Sequence, residues 1–157
     1  MASVSHKTEV LEREVVSTRV FAAPRSLVWK ALTDPEHLPR WWGPSGFTCV
    51  DNVLDIRKGG SWRFVMVGPD GTRWDNEIVY VDIVPEERLV YTIGDGKGGP
   101  KFDASMTLTD LGDGHTQLVM HSIFPTKEAL EAVKKFGAVE KGQETLAKLG
   151  EHLRGMR

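Results

Sequence analysis

The segment Thr33–Pro44 reads TDPEHLPRWWGP and combines a helix start, two adjacent tryptophans and a helix stop. Asp34 can cap a helix whose first position is Pro35, where a missing N–H costs nothing. Trp41 and Trp42 lie about 100° apart on a helix, so one can face a core and the other a cavity mouth. Gly-Pro then ends the helix. The segment therefore predicts either a core anchor with a lid or one wall of a ligand pocket.

The composition is typical of one globular domain, which we place at residues 1–157 with residues 1–11 loose. The chain has 157 residues, 27% charged and 40% hydrophobic, with a net charge of −2. No basic block indicates nucleic acid, and no apolar run approaches the ~20 residues of a membrane span. Residues 1–14 lack the apolar core of a signal peptide. The single cysteine, Cys49, excludes an internal disulfide and favours a reducing compartment. We expect a cytoplasmic monomer or homodimer.

Strands and turns dominate the first four-fifths of the chain. A strand is predicted at residues 14–21, followed by two short helices, the first opening at Pro24. Turn signals such as Gly68-Pro69-Asp70-Gly71 then separate six further segments. These segments are residues 47–54, 61–67, 72–84, 89–93, 101–109 and 116–124. The sequence therefore predicts seven antiparallel strands.

The last segment predicts a long amphipathic helix from Thr126 to Leu153. Its apolar residues recur every three or four positions: Leu130, Val133, Phe136, Val139, Leu146, Leu149 and Leu153. Gly137 and Gly142 lie near this stripe and permit a kink or a close approach to the sheet. A curved antiparallel sheet supplies the long apolar surface that such a helix needs.

Alternation along the strands predicts which side chains face that helix. The inward set contains Trp62, Phe64, Met66, Trp74, Asn76, Ile78, Tyr80, Phe102, Ala104, Met106 and Leu108. These side chains either fill the space between sheet and helix or line a cavity there. Asn76 is the one polar member of these inward rows, either a satisfied structural amide or a hydrogen-bond anchor in an apolar pocket.

Motifs for catalysis, metals and nucleotides are weak or absent in the sequence. The run from Gly94 to Gly99 fits G-x-G-x-x-G, but Pro100 and a strand follow it where a dinucleotide site needs a helix. The five histidines show no metal-ligand spacing. Asp75 and Glu77 share a strand face, but that face reads as solvated. We therefore expect no metal, no cofactor and no catalytic residue.

Several landmarks in order resemble one known family. Residues 23–35 (APRSLVWKALTDP), 41–44 (WWGP), 59–62 (GGSW), 68–71 (GPDG) and 85–90 (PEERLV) are similar to those of the AHSA-like family, homologues of the activator of heat-shock-protein ATPase. This family belongs to the START, or SRPBCC, superfamily. The resemblance implies an α+β helix-grip fold with a seven-stranded curved antiparallel sheet around a long C-terminal helix and two short helices after the first strand. Relatives often carry Trp at the position of Gln143, which changes one end of the presumed cavity.

The first functional hypothesis is noncatalytic binding of a small apolar or aromatic ligand between sheet and C-terminal helix. The family name implies a second, a cochaperone-like partner of a heat-shock ATPase with a role in the stress response. The superfamily implies a third, an enzyme of the polyketide cyclase or hydratase kind. The candidate ligand-binding residues are Trp41, Trp42, Phe47, Trp62, Phe64, Met66, Trp74, Asn76, Ile78, Tyr91, Phe102, Met106, Met120, Phe136 and Val139.

Overall fold

The computed structural model describes residues 3–135 and 137–156 as one sheet with four helices. The helices are α1 (Arg25–Thr33), α2 (Leu38–Trp41), α3 (Lys127–Lys134) and α4 (Ala138–Gly155). The strands are β1 (Ser3–Val10), β2 (Glu14–Phe21), β3 (Thr48–Leu54), β4 (Ser61–Val67), β5 (Arg73–Val84), β6 (Arg88–Gly94), β7 (Phe102–Gly112) and β8 (His115–Ile123).

The sheet is antiparallel throughout, with the strand order β1-β2-β8-β7-β6-β5-β4-β3. Strands β3 to β8 are sequential hairpin neighbours, whereas α1 and α2 connect β2, next to one edge of the sheet, to β3 at the opposite edge. The sheet is curved, and its side chains facing α4 form what we call the inner face. This arrangement is the expected helix-grip fold.

The sheet has eight strands, not the seven that the sequence predicts. The additional strand is β1, so the expectation that residues 1–11 are loose is wrong for residues 3–10. These residues pair with β2 in a register that sets Lys7 opposite Thr18. The Gln143 side-chain amide on α4 also donates to the Lys7 carbonyl at 2.8 Å and to Thr8 Oγ1 at 3.0 Å. A polar edge strand has no apolar alternation, so its sequence resembles that of a free terminus.

The second helix begins later than the sequence predicts. Asp34 ends α1, and its carboxylate accepts the Glu36 N–H at 2.8 Å. A turn follows, and α2 starts at Leu38 rather than at Pro35. The two indoles diverge as expected from their spacing. Trp41 is 1% exposed and donates from Nε1 to the Ala31 carbonyl at 2.9 Å, whereas Trp42 follows the helix and faces the inner face.

The C-terminal segment is two helices rather than one continuous helix. Thr126 caps α3 as expected, because its Oγ1 accepts the Ala129 N–H at 3.0 Å. Gly137 then adopts a left-handed conformation with φ of 72°, which glycine reaches without steric cost and which interrupts the helix. Gly142 stays inside α4. Phe136 lies outside the described residues.

A leucine stripe fixes α4 on the sheet. Leu146, Leu149 and Leu153 are fully buried and belong to one hydrophobic cluster with the inner face and with α1. No described helix is both long enough and apolar enough to cross a membrane.

A histidine pair joins the start of α2 to the end of α4. His37 Nδ1 and His152 Nε2 are 2.9 Å apart, and the rings meet edge to face. Burial, and then the charges of His37 and Arg40, lower the pKa of His152 below its ordinary value of 6.5. The other charged side chains around this groove are those of Lys30 and Glu151. A shared hydrogen bond between two imidazoles requires that at least one ring be neutral.

We predict that acidification weakens the fold through His152. Because its pKa is lower in the folded chain, the unfolded chain binds the proton more readily, and stability falls as the pH drops from about 7 through 6.5 and below the folded value. Melting temperatures measured across this range should fall less steeply for His152→Gln than for the wild type. The control His6→Gln changes an exposed histidine on β1 and should retain the wild-type slope. Equal slopes for all three proteins would contradict the prediction.

Candidate ligand-binding cavity

The inner face of the sheet is divided into two halves. In the filled half, inward side chains pack against the α4 leucine stripe: Trp62, Ile78, Tyr80, Leu89, Met106 and Leu118, none more than 4% exposed. In the open half, the inward side chains further along the same strands line a cavity of about 680 Å³: Met66, Trp74, Asn76, Ile93, Phe102, Ala104, Met120 and Ser122. The inward side chains therefore form a packed core in the filled half and line a cavity in the open half.

Two small residues in the first turns of α4 help to leave the open half uncovered, while Lys141 stands at its rim. Gly142 and Thr145 line the cavity from the helix side. A Cβ atom at Gly142 would lie 3.3 Å from Met120 Cε and 3.4 Å from Ser17 Oγ. A larger residue there would extend into the cavity.

The loop after α2 closes one end of the cavity. Trp42, Gly43 and Pro44 all line it. Gly43 has a φ of 99°, and a Cβ atom there would lie 2.9 Å from Met66 Sδ, so only glycine allows this approach. The loop is tied to α4 by Lys148, whose Nζ donates to the Phe47 carbonyl at 2.9 Å and to the Pro44 carbonyl at 3.3 Å. Burial lowers the pKa of Lys148.

Trp42 joins the two halves of the inner face. Its ring meets that of Trp62 edge to face at 5.6 Å and that of Tyr91 at 6.4 Å between centroids. The same three aromatic side chains border a void of about 10 Å³ in the filled half. That void is too small for a ligand, so the open half is the candidate site.

Charged side chains stand at the rim of the cavity. Asp75 and Lys141 are exposed, and Asp95 lies in the loop between β6 and β7. Asp75 is paired with Lys97. Hydrogen bonds from the backbone N–H groups of Lys97 and Gly99 lower the pKa of Asp95. The G-x-G-x-x-G run is thus a hairpin loop, and β7 follows it where a nucleotide site would need a helix.

The candidate residues from the sequence separate into four groups. Those that line the cavity are Trp42, Met66, Trp74, Asn76, Tyr91, Phe102 and Met120. Those buried in the core outside its lining are Trp41, Trp62, Phe64, Ile78 and Met106. Phe47 and Val139 are half-buried and lie outside the lining. Phe136 is beyond the described residues.

Two of these residues have surroundings that differ from those expected. Trp74 is 57% exposed and stands at the rim, because β5 extends past the covered part of the sheet. The Asn76 side-chain amide donates to the Trp74 carbonyl at 3.0 Å on its own strand. Part of its hydrogen-bonding capacity is therefore used locally.

The candidate list from the sequence left out several lining residues, although it placed Ala104 on the inner face and Val133 on the helical stripe. The residues left out are Val15, Ser17, Ile93, Ala104, Ser122, Phe124, Val133, Lys141, Gly142 and Thr145. Strand parity extended to β2 and β8 would have found Ser17 and Ser122, which share the inner face with Met120. A search for large aromatic and apolar side chains passes over serine and glycine, although small residues are what leave the space.

Among residues 3–135 and 137–156, the titratable and nucleophilic side chains near the site are not arranged as an activated nucleophile or a metal cluster. Burial raises the pKa of Cys49 to about 12, and its thiol donates to the Trp42 carbonyl at 3.5 Å. His121 is hydrogen-bonded to Glu14 at 2.6 Å on the opposite face of the sheet. Among the residues that the structure describes, no group of three or more His, Cys, Asp or Glu side chains could hold a metal ion.

Comparison with known proteins identifies the family. The family described as "Activator of Hsp90 ATPase homolog 1-like protein" matches residues 22–154. The chain belongs to this family. The resemblance inferred from the sequence landmarks is thereby confirmed. No curated protein matches the chain in sequence.

Solved structures similar to this member of the Hsp90 ATPase activator homologue family share its fold. A crystal structure of a protein from Nitrosomonas europaea is 26% identical, with a TM-score of 0.84, and the alignment covers 94% of this chain and 98% of that one. A solution structure from Arthrobacter aurescens is 24% identical, with a TM-score of 0.87 and coverage of 97% and 92%. The AHSA1 protein from Silicibacter pomeroyi is 20% identical, with a TM-score of 0.76 and coverage of 92% and 99%.

We predict that two phenylalanines of this family member differ in their contribution to stability. Phe64 is 3% exposed and stacks on Trp62 with 3.9 Å between centroids, so Phe64→Ala should cost about 3–5 kcal/mol. Phe102 stacks on Phe124 but borders the cavity, and already lacks neighbours on one side. Phe102→Ala should therefore cost less. Urea unfolding measures both values, and an equal loss would contradict the division of the inner face.

Proposed function

We propose that this protein binds a small apolar or aromatic molecule in the cavity of the open half. The observation that carries the proposal is the cavity itself, about 680 Å³ and lined mostly by apolar side chains. Ligand pockets in proteins fall in the range of roughly 300–1,000 Å³ and have this kind of lining. The proposed ligand is therefore small enough to be enclosed between sheet, α4 and the loop after α2.

The lining suits an aromatic or branched apolar ligand. Met66 and Met120 carry flexible thioether side chains that adapt to different shapes. Trp42 and Trp74 present indole faces and edges at the loop end. Gly142 gives the ligand a close approach to the α4 backbone.

The polar side chains of the cavity lining favour noncatalytic binding over an enzymatic reaction. A cyclase or hydratase needs an acid or base that reaches the bound substrate. The lining hydroxyls belong to Ser17, Tyr91, Ser122 and Thr145, and none of them has a histidine or carboxylate partner among the described residues. Of these, Thr145 donates to the Lys141 carbonyl at 3.1 Å.

A protein-partner function is the second candidate, because the family's description names the activation of an ATPase. The convex face of the sheet carries apolar side chains suitable for a contact. Val79 is 36% exposed and Val81 is 51% exposed, both pointing away from α4 on β5. These side chains are separate from the cavity, so the two candidates can be tested independently.

Binding of Nile red, a neutral environment-sensitive dye, tests the proposal. We expect the native protein to bind the dye and an excess of an apolar ligand to displace it. Ala104→Phe places a ring in the cavity from β7, and should weaken dye binding at least about ten-fold. Val81→Phe adds the same ring to the convex face and should leave the affinity unchanged.

Thermal melts establish that each variant is folded before its affinity is compared. If Ala104→Phe fails to fold, Gly142→Met fills the cavity from the helix side instead. No dye binding to the folded wild type would overturn the proposal, and so would equal losses in the cavity variant and the convex-face variant. Either result would move the protein-partner function to first place.

A further inference from the structure

Tyr91 stands at the boundary between the filled half and the open half. It lies on the inner face of β6, opposite Tyr80 on β5 and Ala104 on β7. Its side chain is 4% exposed and lines the cavity. Trp42 packs against its ring from the loop side. The ring is thus held by packing on both neighbouring strands and by an indole, which fixes the direction of its hydroxyl.

The Tyr91 hydroxyl makes no hydrogen bond within residues 3–135 and 137–156. Buried tyrosine hydroxyls usually have a partner, and one left without costs about 1–3 kcal/mol. Among the described residues, the unpartnered side-chain atoms sealed from solvent belong to Arg19, Arg25 and Gln143, and the Tyr91 oxygen is not one of them. The void in the filled half exposes only apolar atoms. Of the two spaces that Tyr91 lines, the cavity is therefore the one in which its oxygen can meet a hydrogen-bond partner.

The hydroxyl is a neutral donor. Burial raises the pKa of Tyr91, and the neighbouring phenol of Tyr80 raises it further. At neutral pH the proton stays on the oxygen, which can donate it to an acceptor in the cavity.

No charged side chain of the described lining lies deep in the cavity, where it could offset the lost hydration of a charged ligand group. Its charged lining residues, Asp75, Asp95 and Lys141, are at the rim. The other polar side chains of the lining are uncharged: the hydroxyls of Ser17, Tyr91, Ser122 and Thr145, and the Asn76 amide. An anionic group placed there would lose its hydration without gaining a cation. An uncharged oxygen loses far less and can accept the hydrogen bond.

We propose that Tyr91 selects ligands carrying an uncharged oxygen acceptor, such as a ketone or ester carbonyl, on the end that enters the cavity first. The inference rests on the proposed function and narrows its ligand class. Apolar ligands without the acceptor still fit, but they leave the phenol without a partner. Any charged group of the ligand stays at the rim with Lys141 and the two aspartates.

A pair of isosteric ligands tests this selection. The acetyl group of 2-acetylnaphthalene and the isopropyl group of 2-isopropylnaphthalene have nearly the same shape, but only acetyl has a carbonyl. Dissociation constants are measured by isothermal titration for the wild type and for Tyr91→Phe. We expect the preference for the acetyl ligand to fall about five-fold in Tyr91→Phe, since one hydrogen bond of about 1 kcal/mol is lost. The ratio of the two dissociation constants is compared between wild type and variant, so the different hydration of the two free ligands cancels.

Tyr80→Phe is the matched control, because Tyr80 is the cross-strand neighbour and lies outside the cavity lining. It should leave the preference unchanged. An unchanged preference in Tyr91→Phe, or an equal fall in both variants, would overturn the inference while leaving the proposed function standing. Binding of neither ligand to the wild type would overturn the proposed function as well.

A second measurement does not depend on the folding of a variant. The carbonyl stretching frequency of 2-acetylnaphthalene bound to the wild type should lie below its value in an alkane solvent, as expected for a carbonyl that accepts a hydrogen bond. A frequency equal to that in alkane would overturn the inference.

Discussion

The packing of the α4 leucine stripe on one half of the sheet is the interaction on which the rest of the structure depends. Leu146, Leu149 and Leu153 are fully buried against the filled half of the inner face. Each such leucine contributes about 1.5–3 kcal/mol by burial, so this contact holds helix and sheet together. Gly137, in a left-handed conformation, separates the amphipathic helix α3 from α4 and redirects the chain. The helix therefore covers one half of the sheet and leaves the other half open.

This division explains why the same strands serve both stability and binding. Each central strand places one inward side chain in the core and the next inward side chain in the cavity, as Met106 and Ala104 do on β7. The filled half fixes the strands, and rigid strands hold the cavity residues in position. Tyr91 lies where the two halves meet, so it belongs both to the packed core and to the lining of the cavity. Charge is confined to the rim, which keeps the interior suited to uncharged ligands.

Much of this architecture could be predicted from the sequence, because apolar periodicity records which face of an element is buried. The inner-face residues on β4, β5 and β7 follow from alternation, and the Thr126 cap follows from its residue type. The polar edge strand β1 could not be predicted, since neither of its faces needs apolar side chains. The division of the inner face was also beyond the sequence. Trp62 and Met66 share a strand face, and only the placement of α4 distinguishes a core tryptophan from a cavity methionine.

Methyl NMR of the protein labelled at its methionine methyl groups tests the division of the inner face most directly. Met66 and Met120 line the cavity, whereas Met106 is 1% exposed in the filled half. Titration with 2-isopropylnaphthalene should shift the resonances of Met66 and Met120 through the ring current of the ligand and leave Met106 unchanged. A shift of Met106 as large as the other two, or unchanged resonances of all three in the presence of bound ligand, would contradict the account.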